Sequence, residues 1–251
     1  TVPSASGKKN AVRNVSFDVR AGEIVCIAGI YGNGQTELVY AITGLEKPSG
    51  GKITLCGEDI TKASIRTRSK KGISHIPEDR QKHGLVLDYS IEDNLILQRY
   101  WQPEFQKGGF LRRKEIRAYA EKMIKKYDIR SGQGPITITR NMSGGNQQKV
   151  ILGRELDKEH KLVVAVQPTR GLDVGAIEYI HKQLVATRDA GKGVLLVSLE
   201  IDEVMDVSDR ILVMYEGEIV GELNPKEITI QELGLYMSGA KRNVGRENKH
   251  A

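Results

Sequence analysis

The chain has 251 residues, with 39% apolar and 28% charged side chains and a formal net charge of +6. Those figures fit a globular chain that buries a core of its own, and they exclude a mainly disordered one. No apolar run approaches the ~18 residues of a spanning helix, no secretory signal opens the chain, and aromatic residues, at 5%, are too few for a base-stacking platform.

Residues 1–10 are small and polar and lead into the fold; they open on Thr1 without a methionine, which reads as a fragment or a processed chain. Residues 15–19 alternate apolar and polar, as a half-buried strand does. A turn at Ala21-Gly22-Glu23 leads to a short apolar strand over 24–28. A glycine-rich loop fills 29–34, and a helix over 36–43 ends near Gly44. Residues 50–55 and 56–60 read as strand around a turn at Gly57. Cys26 and Cys56 lie in these short apolar stretches and are expected to be buried free thiols, not a disulfide or a metal pair. A further strand over 73–76 stops at Pro77. Ser90, followed by Glu92 and Asp93, is a helix start with an N-cap and acids in the first turn. Residues 112–127 have helical spacing and high charge, and 88–145 reads as a mainly helical subdomain.

The rhythm of strand and helix then returns. A helix is expected over 147–156, strand over 162–166, helix over 176–190 and strand over 193–198. A short helix over 201–207, a strand over 210–214 and a hairpin at Gly217 into 218–223 follow. Strands alternating with helices define an α/β fold with a mostly parallel sheet, flanking helices and an antiparallel part. Residues 1–87 and 146–240 form its core, and a polar tail over 241–251 is expected to be disordered. Lys and Arg cluster only near 66–71 and 112–126, so no nucleic-acid partner is expected.

The loop Gly29-Ile30-Tyr31-Gly32-Asn33-Gly34-Gln35-Thr36 lies between a predicted strand and a predicted helix, the setting of a phosphate cradle. Its glycines let consecutive backbone N–H groups turn toward an anion, and the helix N-terminus adds partial positive charge. Its spacing matches G-x-x-x-x-G-K-[ST] except that Gln35 stands where the lysine should be. Thr36 keeps the hydroxyl that would sit on Mg²⁺. A lysine on the terminal phosphates is a charge-assisted contact of roughly 1.5–3 kcal/mol, so weakened binding is expected. A second Gly-rich helix start, Ser143-Gly144-Gly145, is another anion site by the same logic.

Met142-Ser143-Gly144-Gly145-Asn146-Gln147-Gln148 resembles the L-S-G-G-Q signature of the ATP-binding-cassette family. Residues 162–169 resemble its Walker B strand, Arg170-Gly171-Leu172-Asp173 its D-loop, and Val197-Ser198-Leu199-Glu200 its switch region. The resemblance runs from about residue 11 to 238. It implies a P-loop NTPase-type fold, with 88–145 as the helical signature subdomain and ATP with Mg²⁺ as cofactors. The finer resemblance is to the second cassette of duplicated ATPases that drive uptake of simple sugars and nucleosides. Asn33-Gly34-Gln35-Thr36-Glu37 and Ile76-Pro77-Glu78-Asp79-Arg80 carry it, with the motifs around Ser143 and Asp173. It implies Gly29, Gly32, Asn33, Gly34, Gln35, Thr36, Glu78 and Asp173 as nucleotide-contacting positions and Thr36 as the metal position.

The departures from the family pattern fall at one site, with its glycines kept. Val166 replaces the Walker B aspartate, Gln167 the glutamate that polarises water, and Leu199 the switch histidine. Glu78 stands for the Q-loop glutamine, and no aromatic precedes Phe17 to stack on adenine. A missing general base costs about 10²–10⁴-fold in rate. In this family cassettes pair head to tail, so Ser143, Gly144 and Gly145 are expected to complete a partner cassette's site, while the site on Gln35 is degenerate. The implied partners are a second cassette, the N-terminal half of the same polypeptide, and transmembrane permease subunits. The implied location is peripheral, on the cytoplasmic face of the membrane. Residues 79–97, with Tyr89, Ile91, Leu95 and Leu97, are expected to face the permease. The alternatives are a soluble regulatory cassette protein and, less well supported by Val166 and Gln167, an autonomous nucleotide hydrolase.

Overall fold

The computed structural model describes residues 1–4 and 10–243; what the sequence suggested for 5–9 and 244–251 lies outside them. The chain divides into two compact units. One comprises Thr1–His75, His160–Gln167 and His181–Ala251, the other Ile76–Glu159 and Pro168–Ile180.

The first unit is built on a six-stranded sheet in the order Glu218–Leu223, Arg210–Tyr215, Ile24–Gly29, Gly193–Ser198, Leu162–Val166, Ile73–Ile76. Strand Ile24–Gly29 pairs parallel with both neighbours, whereas Glu218–Leu223 turns back antiparallel at the edge. All residues of Ile24–Gly29 and of Gly193–Ser198 are buried. A strand covered on both faces has no solvent side, which is why these segments read as continuous apolar runs. Val25, Ile27, Val164, Val166, Leu195 and Val197 of the sheet share one core with Leu38, Val39 and Ile42 of the helix Gln35–Thr43. Each such side chain contributes about 1.5–3 kcal/mol on burial.

Residues 15–19 show how burial and hydrogen bonding separate. Val15, Phe17 and Val19 are half-buried against the core, and Ser16 and Asp18 are exposed, as the alternation requires. The segment nevertheless forms no ladder, so the expected strand is an extended arm. Cys26 is fully buried, and burial pushes its thiol up to about 12. Cys56 is exposed, contrary to expectation. It sits at φ +50° beside Gly57 at φ +82°, the two turn residues of the hairpin Thr54–Leu55 to Glu58–Asp59.

The sequence reading also missed a helix, Ile65–Lys71, capped by Ser64, whose hydroxyl accepts from the Thr67 amide. Its buried anchor is a cation. Arg68 donates from Nη1 to the carbonyl of Ile42 (2.7 Å) and also to that of Ala41, from Nη2 to Thr61 (2.8 Å) and from Nε to Ala63 (3.1 Å). It thereby satisfies carbonyls at the C-terminal end of Gln35–Thr43, where a positive charge is favoured.

The second unit is mainly helical, with Ile91–Ile96, Arg113–Lys126 and Gly144–Asp157, and it also holds a small hairpin, Gln106–Lys107 to Phe110–Leu111. Ser90 caps the first helix as expected, accepting from the Asp93 amide. Ile91 and Leu95 are completely buried, together with Ile116, Ala120 and Met123. They pack the interior of this unit and do not face a partner, as residues 79–97 were expected to do; Tyr89 alone among the named side chains is exposed. Buried Asn94 ties the helix to the preceding loop, donating to the carbonyls of Val86 and Ser90 and accepting from the Val86 amide. Among the described residues no helix is long and apolar enough to cross a membrane.

Candidate functional site

In the first unit, the parallel register fixes where the chemistry falls. Ala28 pairs with Ser198, and Val197 with Val166. Gly29, Leu199 and Gln167 therefore emerge side by side at the carboxyl edge of three adjacent strands, where α/β sheets bind ligands. Gly29 leads into the loop and the helix Gln35–Thr43. Two glycines are demanded by space. A Cβ on Gly29 would stand 2.5 Å from the Met214 carbonyl oxygen, and one on Gly34 2.3 Å from that of Ala11, at φ +101°. Gly32 has open space around it at φ +89°.

Gln35 is buried, and its amide turns into the loop that it was expected to serve. Nε2 donates to the Ile30 carbonyl (3.1 Å), and Oε1 accepts from the Asn33 amide (3.1 Å). One of the backbone donors that would cradle a phosphate is thus occupied. Asn33 braces the loop from outside: its Nδ2 donates to the Ile30 carbonyl, and its Oδ1 accepts from the Glu216 amide. Thr36 stands half-buried on the first helical turn. A Mg²⁺ at this edge would find one protein hydroxyl, that of Thr36, and would draw the rest of its shell from phosphate and water, since Val166 is apolar and buried. Gln167 holds φ +43° and donates its amide to the Val197 carbonyl (2.7 Å), so a neutral side chain occupies a strained backbone position. Leu199 is half-buried and offers no polar atom.

The second unit gathers Glu78, Ser143, Gly144, Gly145 and Asp173. Helix Gly144–Asp157 begins three residues earlier than expected, because Ser143 caps it. Ser143 is exposed, and its Oγ accepts from the Asn146 side chain (3.0 Å) and from the Asn146 amide (3.4 Å). With its lone pairs engaged, the hydroxyl proton is left to donate outward. Asp173 caps the neighbouring helix Val174–Asp189 through the Ala176 amide (2.9 Å). Gly145 lies against it: a Cβ there would meet Ala176 Cβ at 3.2 Å and Asp173 Oδ2 at 3.7 Å.

Arg80 is the residue for which the sequence reading gave no role. Asp79 accepts from the amides of Gln81 (3.0 Å) and Lys82 (2.9 Å), starting a π-helical turn, Arg80–Gly84. The Lys82 amide bond is the leading reason that the Asp79 carboxyl is held below its ordinary range. The turn sends Arg80 Nη1 to the Arg170 carbonyl (2.9 Å), while Arg170 Nη1 binds Glu78. Glu78, Asp79, Arg80, Gln81, Arg170 and Gly171 line a cleft of about 300 Å³. The signal in the sequence was Asp79 two positions before Gln81, an Asx turn that aims the residue between them.

A Gly-rich loop joining a parallel strand to a helix at the carboxyl edge of the sheet defines an α/β protein of the P-loop type. The family model described as ABC transporter matches residues 12–170, and the chain belongs to that family. It is 51% identical over 238 residues to the guanosine import ATP-binding protein NupO of Bacillus subtilis (strain 168), covering 94% of this chain and 46% of NupO. It is 44% identical to the glucose import ATP-binding protein TsgD13 of Haloferax volcanii over 91% of this chain and 42% of that protein. The chain thus spans about half the length of the curated relatives it matches. The solved ADP conformation of MJ1267, an ATP-binding cassette of an ABC transporter, superposes with a TM-score of 0.74 at 22% identity, covering 94% of this chain and 92% of that one. At that identity the likeness is one of fold.

Proposed function

We propose that this chain is the ATP-binding part of an import system for a nucleoside or a sugar, and that its signature segment completes the ATP site of a second cassette. The single observation that carries the reading is a contrast within the chain. The loop that would hold its own phosphate is filled by the Gln35 amide, whereas Ser143 stands exposed at a helix N-terminus with glycines behind it. The names of those relatives supply the solute classes. In this reading residues 1–87 and 146–240 carry the nucleotide-binding core and 88–145 the signature subdomain. Transmembrane permease subunits are the membrane partners, and the chain lies peripherally on the cytoplasmic face.

The chemistry follows from the residues. Ser143 and the amides of Gly144 and Gly145 direct donors at the terminal phosphate held by the partner. Those bonds strengthen as charge develops during transfer, so they raise turnover more than binding. Gln167 cannot take a proton from water, and the chain's own loop serves closure rather than chemistry.

The test sets two variants side by side in the two-cassette protein that this reading requires. Ser143→Arg is expected to lower ATPase and transport activity by about 10²–10³-fold, the loss typical of a transition-state donor. Gln35→Ala should cost no more than about tenfold, the scale of a neutral hydrogen bond. Equal losses, or a larger one at Gln35, would place the working site on the loop instead.

A further inference from the structure

We propose that Arg80 is a positioning residue for the signature, holding the Gly144 backbone and the D-loop in one register; this rests on the reading that Ser143 and Gly144 act on a partner's ATP. Three segments of the second unit meet at this one side chain. From the π-helical turn, Nη1 donates to the Arg170 carbonyl at 2.9 Å. The same guanidinium packs where a Gly144 side chain would stand: a Cβ there would lie 2.8 Å from Nη2, 3.3 Å from Cζ and 3.4 Å from Nε. Glu78, at the Q-loop position, holds Arg170 from the other end. Gln81, the next residue, reaches Gln147 of the signature helix at 3.3 Å, and Gln147 donates to the Thr139 carbonyl at 2.9 Å. Nε of Arg80 is buried with no acceptor among the described residues. The fold keeps the guanidinium against Gly144 despite that unsatisfied donor.

The arrangement gives Gly144 a second duty. Its missing side chain leaves room for the guanidinium, and the planar fork in that space fixes how the first amides of helix Gly144–Asp157 are presented. An error of about 1 Å in such donors costs on the order of 10²-fold in rate. A lysine could donate to the Arg170 carbonyl but could not fill the space as a plane does.

The experiment is a double-mutant cycle in the two-cassette protein, reading kcat and KM for ATP together with the melting temperature. Arg80→Met should lower kcat by roughly tenfold or more with KM within about twofold, since the signature donors that Arg80 positions act in the transition state. Arg80→Lys should recover part of that loss. Gly144→Ala displaces the same guanidinium, so adding Arg80→Met to it should cost little more than the worse single change. Unchanged kcat in Arg80→Met, additive losses in the double variant, or a loss that simply follows a fallen melting temperature would overturn the proposal. Where Arg80→Met does not fold, Arg80→Lys decides by the same reading of kcat against KM. If Ser143→Arg abolishes turnover while Arg80→Met does not, only the role of Arg80 falls. If Ser143→Arg also leaves turnover intact, the signature reading itself is wrong.

Discussion

Gln35 replaces a cation with an amide, and the amide has turned inward to bind the loop that surrounds it. The sequence exposed the missing charge, because the glycine spacing left one defined position unfilled. It could not expose the second loss, that of the Asn33 donor, which depends on where the side chain folds. Gln35→Lys acts on both. A lysine has no acceptor for the Asn33 amide, so that donor is freed as charge is added. The variant should bind ATP about 10- to 100-fold more tightly, matching a charge-assisted contact, as read by calorimetry. Turnover should not appear, because Gln167 still provides no base. Steady hydrolysis by Gln35→Lys alone would overturn the role given to Gln167.

Elements were legible wherever one periodicity or one cap dominated. Helix Ile201–Val207 and strand Glu218–Leu223 fall where they were expected. Helix Ile65–Lys71 did not announce itself, because its packing residue is Arg68 and its lone large apolar side chain, Ile65, is exposed. No apolar stripe marks a helix that is anchored by a buried cation. Helix Gly144–Asp157 carries a related device near its end. Glu155 is fully buried between Arg154 (3.0 Å) and Lys158 (2.7 Å), and Gln98 donates to it at 2.7 Å. Burial alone would raise the carboxyl, but Lys158 and Arg154 outweigh it and lower it to about 2. A folded value below the unfolded one means that the stabilisation is complete above about pH 4.5 and is lost as pH falls toward 2. The amount at stake is on the order of 3 kcal/mol. Denaturant melts should therefore show acid destabilisation over that window, and Glu155→Gln should flatten it while lowering stability at neutral pH. A wild-type profile with no slope between those pH values would contradict the pairing.

At the scale of the molecule, one sheet edge collects Gly29, Gln167 and Leu199, and one helical unit collects Glu78, Arg80, Ser143 and Asp173. The first group lacks both a base and a metal carboxylate. Purified alone, the chain should bind ATP weakly through the remaining loop amides and turn it over only at background rate. Calorimetry and a phosphate-release assay check this, and ordinary steady turnover by the pure chain would contradict it.

The sequence by itself determined the family, the α/β class, the loop and the cap at Ser143. Each of these follows from residue types at fixed spacing, which local backbone chemistry translates directly. Only the tertiary structure decided what each side chain meets. It turned Ile91 and Leu95 inward, left Cys56 on a turn, folded Gln35 back into its loop and set Arg80 against Gly144. The burial of Ile91 and Leu95 and the place of Arg80 rest on contacts between residues far apart in the chain, and Gln35 and Cys56 on which way a side chain turns within its own loop. Spacing along a single strand of sequence carries neither.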